Sequence, residues 1–214
     1  MAVIRNLPRL YPIVDAGLLA RAALSPERFA WDLREAGVAF LQYRNKAGSA
    51  AEVLLAAERL RAIFPVGEAC LILNDRAALA AAGDFDGVHL GQDDLTPAEA
   101  RLLTGPSKLI GYSTHTPRQA AAGEAGPADY LAIGPVFPTS SKVNPDPVIG
   151  LEGVAAARAA TRKPLVAIGG ITRENCAAVL GAGADSVAVI SGLLPRAGET
   201  VQAIVREYRA LLGL

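Results

Sequence analysis

Gln42, Arg44 and Lys46 stand two residues apart along one segment. In an extended chain Gln42 and Arg44 point to one face, with Lys46 able to follow. Two cations and an amide converging in this way form a grip for an anion; an exposed loop is the plainer alternative. Further on, Asn74-Asp75-Arg76 and His89-Leu-Gly-Gln-Asp-Asp94 each follow or end an apolar run. One Asp from each, Asp75 with Asp93 or Asp94, could share a hard divalent cation such as Mg2+, which keeps part of its water and bridges to phosphate oxygens. Asp75 could instead cap the next helix, and Asp93 or Asp94 could be plain surface. His89, between Val88 and Leu90, reads as a structural residue rather than a base. In Gly111-Tyr-Ser-Thr-His-Thr116 the Ser113 hydroxyl is placed to face a ligand, and His115 could act as acid or base or make a structural hydrogen bond.

Two further stretches bring hydroxyls and backbone amides. Thr139, Ser140, Ser141 and Lys142 lie on the irregular, proline-rich segment between Gly134 and Gly150, which suits a flap closing on a phosphorylated ligand. Gly169-Gly170-Ile171 and Ile190-Ser191-Gly192 end apolar runs with small residues that expose backbone N–H groups, a recurrent phosphate site. Together these residues describe a site with a cationic, metal-assisted half and a half built of amides, able to hold a diphosphate and a phosphate at once. Nothing in the sequence resembles a nucleophile elbow.

Positioning so many polar groups at the ends of apolar runs calls for a particular architecture. Strands are expected at Leu10 to Asp15, Val38 to Tyr43, Cys70 to Asn74, Gly87 to Leu90, Lys108 to Tyr112, Tyr130 to Ile133, Pro164 to Ile168 and Ser186 to Ile190. Each is short and nearly all apolar, as in a parallel sheet covered on both faces. Helical stretches separate them. Ser25 caps Pro26 to Ala36, Ser49 with Glu52 has capping-box spacing before the run to Ile63, and Thr96, Thr116 and Thr172 each precede a helical run. Val201, Ile204, Val205, Tyr208 and Leu211 give the last helix, Glu199 to Leu212, its apolar stripe. Eight strand–helix units of about 27 residues each fit an α/β fold of the (β/α)8 TIM-barrel type, one domain over residues 1–214. A doubly wound sheet would need a glycine fingerprint after the first strand, and Asp15-Ala-Gly-Leu-Leu is not one.

Composition narrows the function. Of 214 residues, 21 are Lys or Arg and 21 Asp or Glu, so the formal net charge is zero; 51% are hydrophobic. Such a chain supports a large core, and its balance argues against nucleic-acid binding, which needs a basic face. No run long enough to span a bilayer and no secretory signal is visible, so a cytoplasmic protein without membrane partners is expected. Cys70 and Cys176 read as buried structural thiols. Apolar helix faces are compatible with a homo-oligomer.

Read in order, the chain resembles the thiamine-phosphate synthase (thiamine-phosphate pyrophosphorylase) family over essentially its whole length. The matching motifs are Leu10-Tyr-Pro-Ile-Val-Asp15, Gln42-Tyr-Arg-Asn-Lys46, Asn74-Asp75-Arg76, His89-Leu-Gly-Gln-Asp-Asp94, Gly111-Tyr-Ser-Thr-His-Thr116, Gly134-Pro-Val-Phe-Pro-Thr-Ser-Ser-Lys142, Gly150-Leu-Glu-Gly153, Ala167-Ile-Gly-Gly-Ile171 and Val189-Ile-Ser191. The resemblance implies a Mg2+-assisted transferase that joins hydroxymethylpyrimidine diphosphate to a thiazole phosphate, through a pyrimidine-methyl cation, giving thiamine phosphate and pyrophosphate. It implies that Gln42, Arg44, Lys46, Asn74, Ser113 and Lys142 bind the pyrimidine diphosphate. By the same resemblance, Asp75 and Asp94 hold Mg2+, and Thr139, Ser141, Gly170, Ile190 and Ser191 hold the thiazole phosphate. Arg44, Lys46, Lys142 and Ser113 would then act on the leaving group. The chain departs from the family pattern with Asn45 in place of an acidic residue, Tyr43 in place of Leu or Val, and Ser141 in place of Thr. The sister thiazole tautomerases, with His115 as acid/base, are the alternative enzyme. A catalytically silent barrel that binds a phosphorylated metabolite and a sugar-phosphate isomerase of the same fold are further ones.

Overall fold

The computed structural model describes residues 7–139 and 146–214; the expected ligands Ser141 and Lys142 lie outside them. Strands β1 (Leu10–Asp15), β2 (Phe40–Arg44), β3 (Cys70–Asn74), β4 (Gly87–Leu90), β5 (Leu109–Thr114), β6 (Tyr130–Ile133), β7 (Leu165–Ile168) and β8 (Ser186–Val189) pair in parallel in chain order. The pairing of β8 with β1 closes the barrel. The register sets the neighbours: toward the mouth Asp15 lies opposite Arg44 and Asn74 opposite His89, and deeper in the barrel Gly111 lies opposite Tyr130.

The outer layer is α1 (Ala16–Arg21), α2 (Pro26–Glu35), α3 (Ala50–Ile63), α4 (Ala77–Ala82), α5 (Pro97–Thr104), α6 (Pro117–Glu124), α7 (Gly150–Ala160), α8 (Cys176–Gly181) and α9 (Val201–Leu211). Capping explains where several begin. Ser49, Thr96 and Thr116 form reciprocal capping boxes with Glu52, Glu99 and Gln119, and Pro97 and Pro117 occupy the first helical turn.

The structure moves several expected boundaries, most by a residue or two, and three of the shifts have a clear physical cause. β2 starts at Phe40 rather than Val38, because the Val38 amide donates to Leu33 O and, with Gly37 at φ +80°, finishes α2. β5 runs on to Thr114, where Ser113 and Thr114 pair with Ala132 and Ile133 of β6. Thr172 does not begin a helix; its amide donates to Asn175 Oδ1 at 2.8 Å in a turn, and α8 starts only at Cys176. The short α1 was not resolved as a separate element in the sequence. Asp15 creates it by accepting from the Leu18 amide at 2.8 Å.

Two apolar layers hold the barrel. Between sheet and helices pack Leu33, Val53, Leu73, Val88, Ile110, Val154 and Val205, all fully buried. Inside the barrel Tyr11, Phe40, Ile72, Tyr130 and Val166 fill the lumen. Cys176 is buried and Cys70 partly so, neither in a disulfide, and burial pushes the Cys70 thiol up to about 12. No helix among the described residues is long and apolar enough to cross a membrane.

At the end of the barrel away from the mouth one device occurs three times. An aspartate immediately before an even-numbered strand accepts both from the amide of the preceding strand and from an arginine of an outer helix. Asp86 takes Leu71 N at 2.7 Å and Arg61 at 2.6 Å; Asp129 takes Ile110 N at 2.7 Å and Arg101 at 2.6 Å. Asp185 takes Leu165 N and Arg158, both at 2.8 Å. The Arg61 side chain is only 8% exposed, and its Nε also donates to Asp84 O at 2.6 Å. Removing it strands several acceptors at once. Arg61→Ala is therefore expected to cost about 3 kcal/mol and lower Tm by roughly 5–10 °C, with KM values unchanged. Thermal melts alongside steady-state kinetics check this, since bottom-face residues of a barrel serve stability.

Candidate active site

A cavity of about 870 Å³ opens where the strands end. Gln42, Arg44, Lys46, Asn74, Asp75, Ser113, Thr139, Gly170, Ile190 and Ser191, all expected from the sequence, line it. Shared parity brings Gln42 and Arg44 to the same wall, as the alternation of β2 requires. A smaller hollow of about 190 Å³ lies between α2 and α9 on the outside, where Arg28 and Asp32 pair at 3.1 Å. It contains no strand-end residue.

The two cations are held differently. Arg44 pairs with Asp15, whose side chain is only 7% exposed, and Asp15 is itself fixed by the α1 cap. That pair is a rigid, largely desolvated fitting. Lys46 Nζ lies 2.7 Å from Asp75 Oδ2, but the lysine is 59% exposed. A pair so open to water is worth at most about 1 kcal/mol, so Lys46 can exchange its carboxylate for a ligand oxygen at little cost.

Asp75 is not the helix cap; Arg76 occupies that position, without a side-chain bond. Its backbone sits at φ +65°, a left-handed conformation costly for a non-glycine residue. The amide is tied to His89 O at 2.7 Å, and the carboxylate is in contact with that of Asp94. Burial, with the Asp75 carboxylate beside it, holds the Asp94 carboxyl above its usual range, although the Gly91 amide at 2.7 Å opposes this. Among the described residues no cluster of three or more His, Cys, Asp or Glu side chains forms a closed metal cage. Two abutting carboxylates are an all-oxygen, incomplete donor set. That chemistry fits Mg2+, which takes one or two carboxylates and completes its shell with water and phosphate oxygens.

The lumen beneath carries a hydrogen-bond chain that sequence reasoning missed. Gln42 Nε2 donates to Tyr11 Oη at 3.0 Å, the Tyr11 and Tyr130 hydroxyls meet at 3.0 Å, and His89 Nδ1 lies 3.1 Å from Tyr130 Oη. His89 Nε2 then reaches Ser113 Oγ at 2.9 Å. His89 is thus a satisfied residue, as its sequence context suggested. Burial lowers it to about 4, so it is neutral at physiological pH. Gly111 makes room for the chain: a Cβ there would lie 2.3 Å from Tyr130 Oη and 2.4 Å from His89 Nδ1. Gly111→Ala is expected to disrupt this wall and cost about 2–4 kcal/mol, read in a thermal melt.

On the opposite wall, Gly169 and Gly170 take φ +100° and +64°, and a Cβ at Gly170 would lie 2.5 Å from Pro138 O. The close approach ties the flap to β7: the Val136 amide donates to Ile168 O and that of Phe137 to Gly169 O. Asn175 Nδ2 holds Gly170 O at 3.0 Å, while the Gly170 amide has no acceptor among the described residues. A short 3-10 turn, Ser191–Leu193, follows β8 beside it. His115 braces the same flap, with Nδ1 at 2.7 Å from Gly134 O and Nε2 at 3.4 Å from Asp146. Asn45 Oδ1 accepts from the Gly48 amide at 2.8 Å, as a carboxylate could, while its Nδ2 donates to Tyr43 Oη, which a carboxylate could not do.

The family model for thiamine monophosphate synthase matches residues 10–193. A thiamine-phosphate synthase of Koribacter versatilis (strain Ellin345) is 54% identical over 203 residues, covering 92% of this chain and 96% of that protein. Another, from Chlorobium luteolum, is 44% identical over 179 residues, covering 81% and 84%. The solved thiamine phosphate pyrophosphorylase of Pyrococcus furiosus superposes with a TM-score of 0.83 at 33% identity, covering 96% of this chain and 95% of that one. Since the match runs from the first strand to the turn after the last, and takes in every strand end that lines the cavity, the chain belongs to the thiamine monophosphate synthase family.

Proposed function

We propose that this chain is a transferase that joins hydroxymethylpyrimidine diphosphate to a thiazole phosphate, releasing pyrophosphate and forming thiamine phosphate. One observation carries the reading: Arg44, Lys46 and Asp75 line the cavity at the ends of β2 and β3, with Asp94, itself not a lining residue, against Asp75, and Gly170 and Ser191 line it at the ends of β7 and β8. A diphosphate and a monophosphate each find a suited half. In the reaction the bond between the pyrimidine methylene and the diphosphate oxygen breaks, its electron pair leaving with pyrophosphate. The thiazole nitrogen then bonds to that carbon.

Arg44, fixed by Asp15, holds a diphosphate oxygen in place; Lys46 leaves Asp75 for the same ligand; Ser113 and Asn74 orient it, and Lys142 adds a further positive charge. Gln42 faces the pyrimidine. Thr139, Ser141, Gly170, Ile190 and Ser191 seat the thiazole phosphate, with the Gly170 amide supplying a donor. Asp75 and Asp94 would hold Mg2+, which when bound supplies positive charge against the leaving pyrophosphate. No protein nucleophile is required. The tautomerase alternative is less well supported, because His115 is engaged on both ring nitrogens in bracing the flap. The same reading makes this a cytoplasmic biosynthetic enzyme with small-molecule partners.

Calorimetry tests the proposal. The purified protein should bind the pyrimidine diphosphate with Mg2+ present and at least ~10-fold more weakly without it, given the cost of leaving two carboxylates facing a diphosphate. A tautomerase would ignore that compound in both conditions.

A further inference from the structure

We propose that Tyr11, Tyr130 and His89 are positioning residues that form a one-way hydrogen-bond chain from Gln42 to Ser113, presenting the Ser113 hydroxyl to the substrate as a donor. The inference rests on the reading that Gln42 and Ser113 contact the pyrimidine diphosphate.

The direction follows from proton counting. Gln42 donates an amide hydrogen to Tyr11 Oη, so Tyr11 is an acceptor on that side. Tyr11 has one hydroxyl proton, and its remaining partner is Tyr130 Oη at 3.0 Å. If Tyr130 donated to Tyr11 instead, the Tyr11 proton would be left in a fully buried lumen without an acceptor, which costs far more than the bond gains. Tyr11 therefore donates to Tyr130, and Tyr130 must pass its own proton to His89 Nδ1 at 3.1 Å. The neutral imidazole then carries its single proton on Nε2, aimed at Ser113 Oγ 2.9 Å away. Ser113 accepts there and keeps its own proton free for the ligand.

This tautomer has a chemical consequence. A serine beside a histidine suggests a nucleophile and its base, but a base needs a bare Nε2. Here Nε2 is the protonated nitrogen, so His89 cannot take the Ser113 proton, and Ser113 serves as a hydrogen-bond donor. The arrangement is held by packing as well as by polar contacts. The Tyr11, Phe40 and Tyr130 rings meet edge to face with centroids 4.6–6.5 Å apart, so the chain is preorganised before any ligand arrives.

The experiment combines NMR and kinetics on the full chain. The protein has two histidines, and His89→Gln identifies the His89 signals by their loss. Long-range proton–nitrogen correlation should show the protonated His89 nitrogen coupled to both ring carbon-bound protons, the Nε2–H pattern. Tyr130→Phe keeps the ring packing and removes the donor to Nδ1. It should give a mixed tautomer and lower kcat for the pyrimidine diphosphate about tenfold, with KM for the thiazole phosphate unchanged and the melt within a few degrees. Tyr11→Phe leaves Tyr130 donating to His89, so the Nε2–H tautomer should persist while pyrimidine diphosphate binding weakens about fivefold as Gln42 loses its anchor. An Nδ1–H imidazole in the native protein overturns the proposal, as does an unchanged tautomer and kcat in Tyr130→Phe. Should Tyr130→Phe fail to fold, the native tautomer and the Tyr11→Phe result decide the question alone. Failure of the native protein to bind the pyrimidine diphosphate at all would instead refute the assignment of Gln42 and Ser113, whatever the tautomer.

Discussion

Arg44→Ala is expected to lower kcat/KM for the pyrimidine diphosphate about a thousandfold, because in the proposed reaction it removes a preorganised cation from the point where negative charge would grow as the diphosphate leaves. It should also destabilise the fold, and for a separate reason. Asp15 is 6% exposed and has Arg44 as its ion-pair partner; stripped of the guanidinium it becomes a buried, uncompensated charge, at a cost of about 3 kcal/mol. The two effects can be separated. Adding Asp15→Asn to Arg44→Ala removes the orphaned charge and keeps an acceptor for the Leu18 amide. The double variant should recover most of the lost stability and none of the lost activity. Denaturant melts and initial rates on the four proteins of the cycle check this; recovery of turnover in the double variant would show that Arg44 acts only through the fold.

The second large effect concerns the carboxylate pair. Asp75→Ala is expected to lower kcat at saturating Mg2+ by about 10²–10³-fold and to raise the Mg2+ concentration needed for half-maximal rate by at least about tenfold. Asp94→Asn should do the same with the fold intact. Its carboxyl is held above the usual range by burial and by Asp75, so removing its charge relieves repulsion, and the melt should be unchanged or slightly higher. Rates measured against Mg2+ and with chelator give the answer. Turnover indifferent to chelator, in either the native protein or the variants, would remove the metal from the account.

Much of this site is legible in the sequence because a parallel barrel places function directly after its apolar runs. Gln42 and Arg44 follow from the alternation of a single strand, and Lys46, Asn74, Ser113, Gly170 and Ser191 from their place at or just past strand ends; all of them line the cavity. What cannot be read locally is who holds whom. Asp15 looks like the last residue of a strand, and only the register opposite Arg44 makes it the partner of a residue 29 positions away. The Tyr11–Tyr130 contact spans 119 positions, and no periodicity in either strand announces it. The three arginine–aspartate clamps escape for the same reason, since an Asp before a strand has the look of an ordinary turn residue. Thr172 shows the converse failure: a good capping residue is overridden when Asn175 closes a turn over its amide. Local spacing names the groups that line the cavity, whereas the groups that fix their orientation emerge only once the barrel closes.

The most direct measurement is a coupled product assay. Purified protein is given the pyrimidine diphosphate, the thiazole phosphate and Mg2+, and thiamine phosphate and pyrophosphate are followed together. A Mg2+-assisted transferase gives the two products in equal amounts, only when both substrates are present, and stops when chelator is added. Pyrophosphate released without thiamine phosphate, or thiazole phosphate transformed without consumption of the pyrimidine compound, would contradict that function.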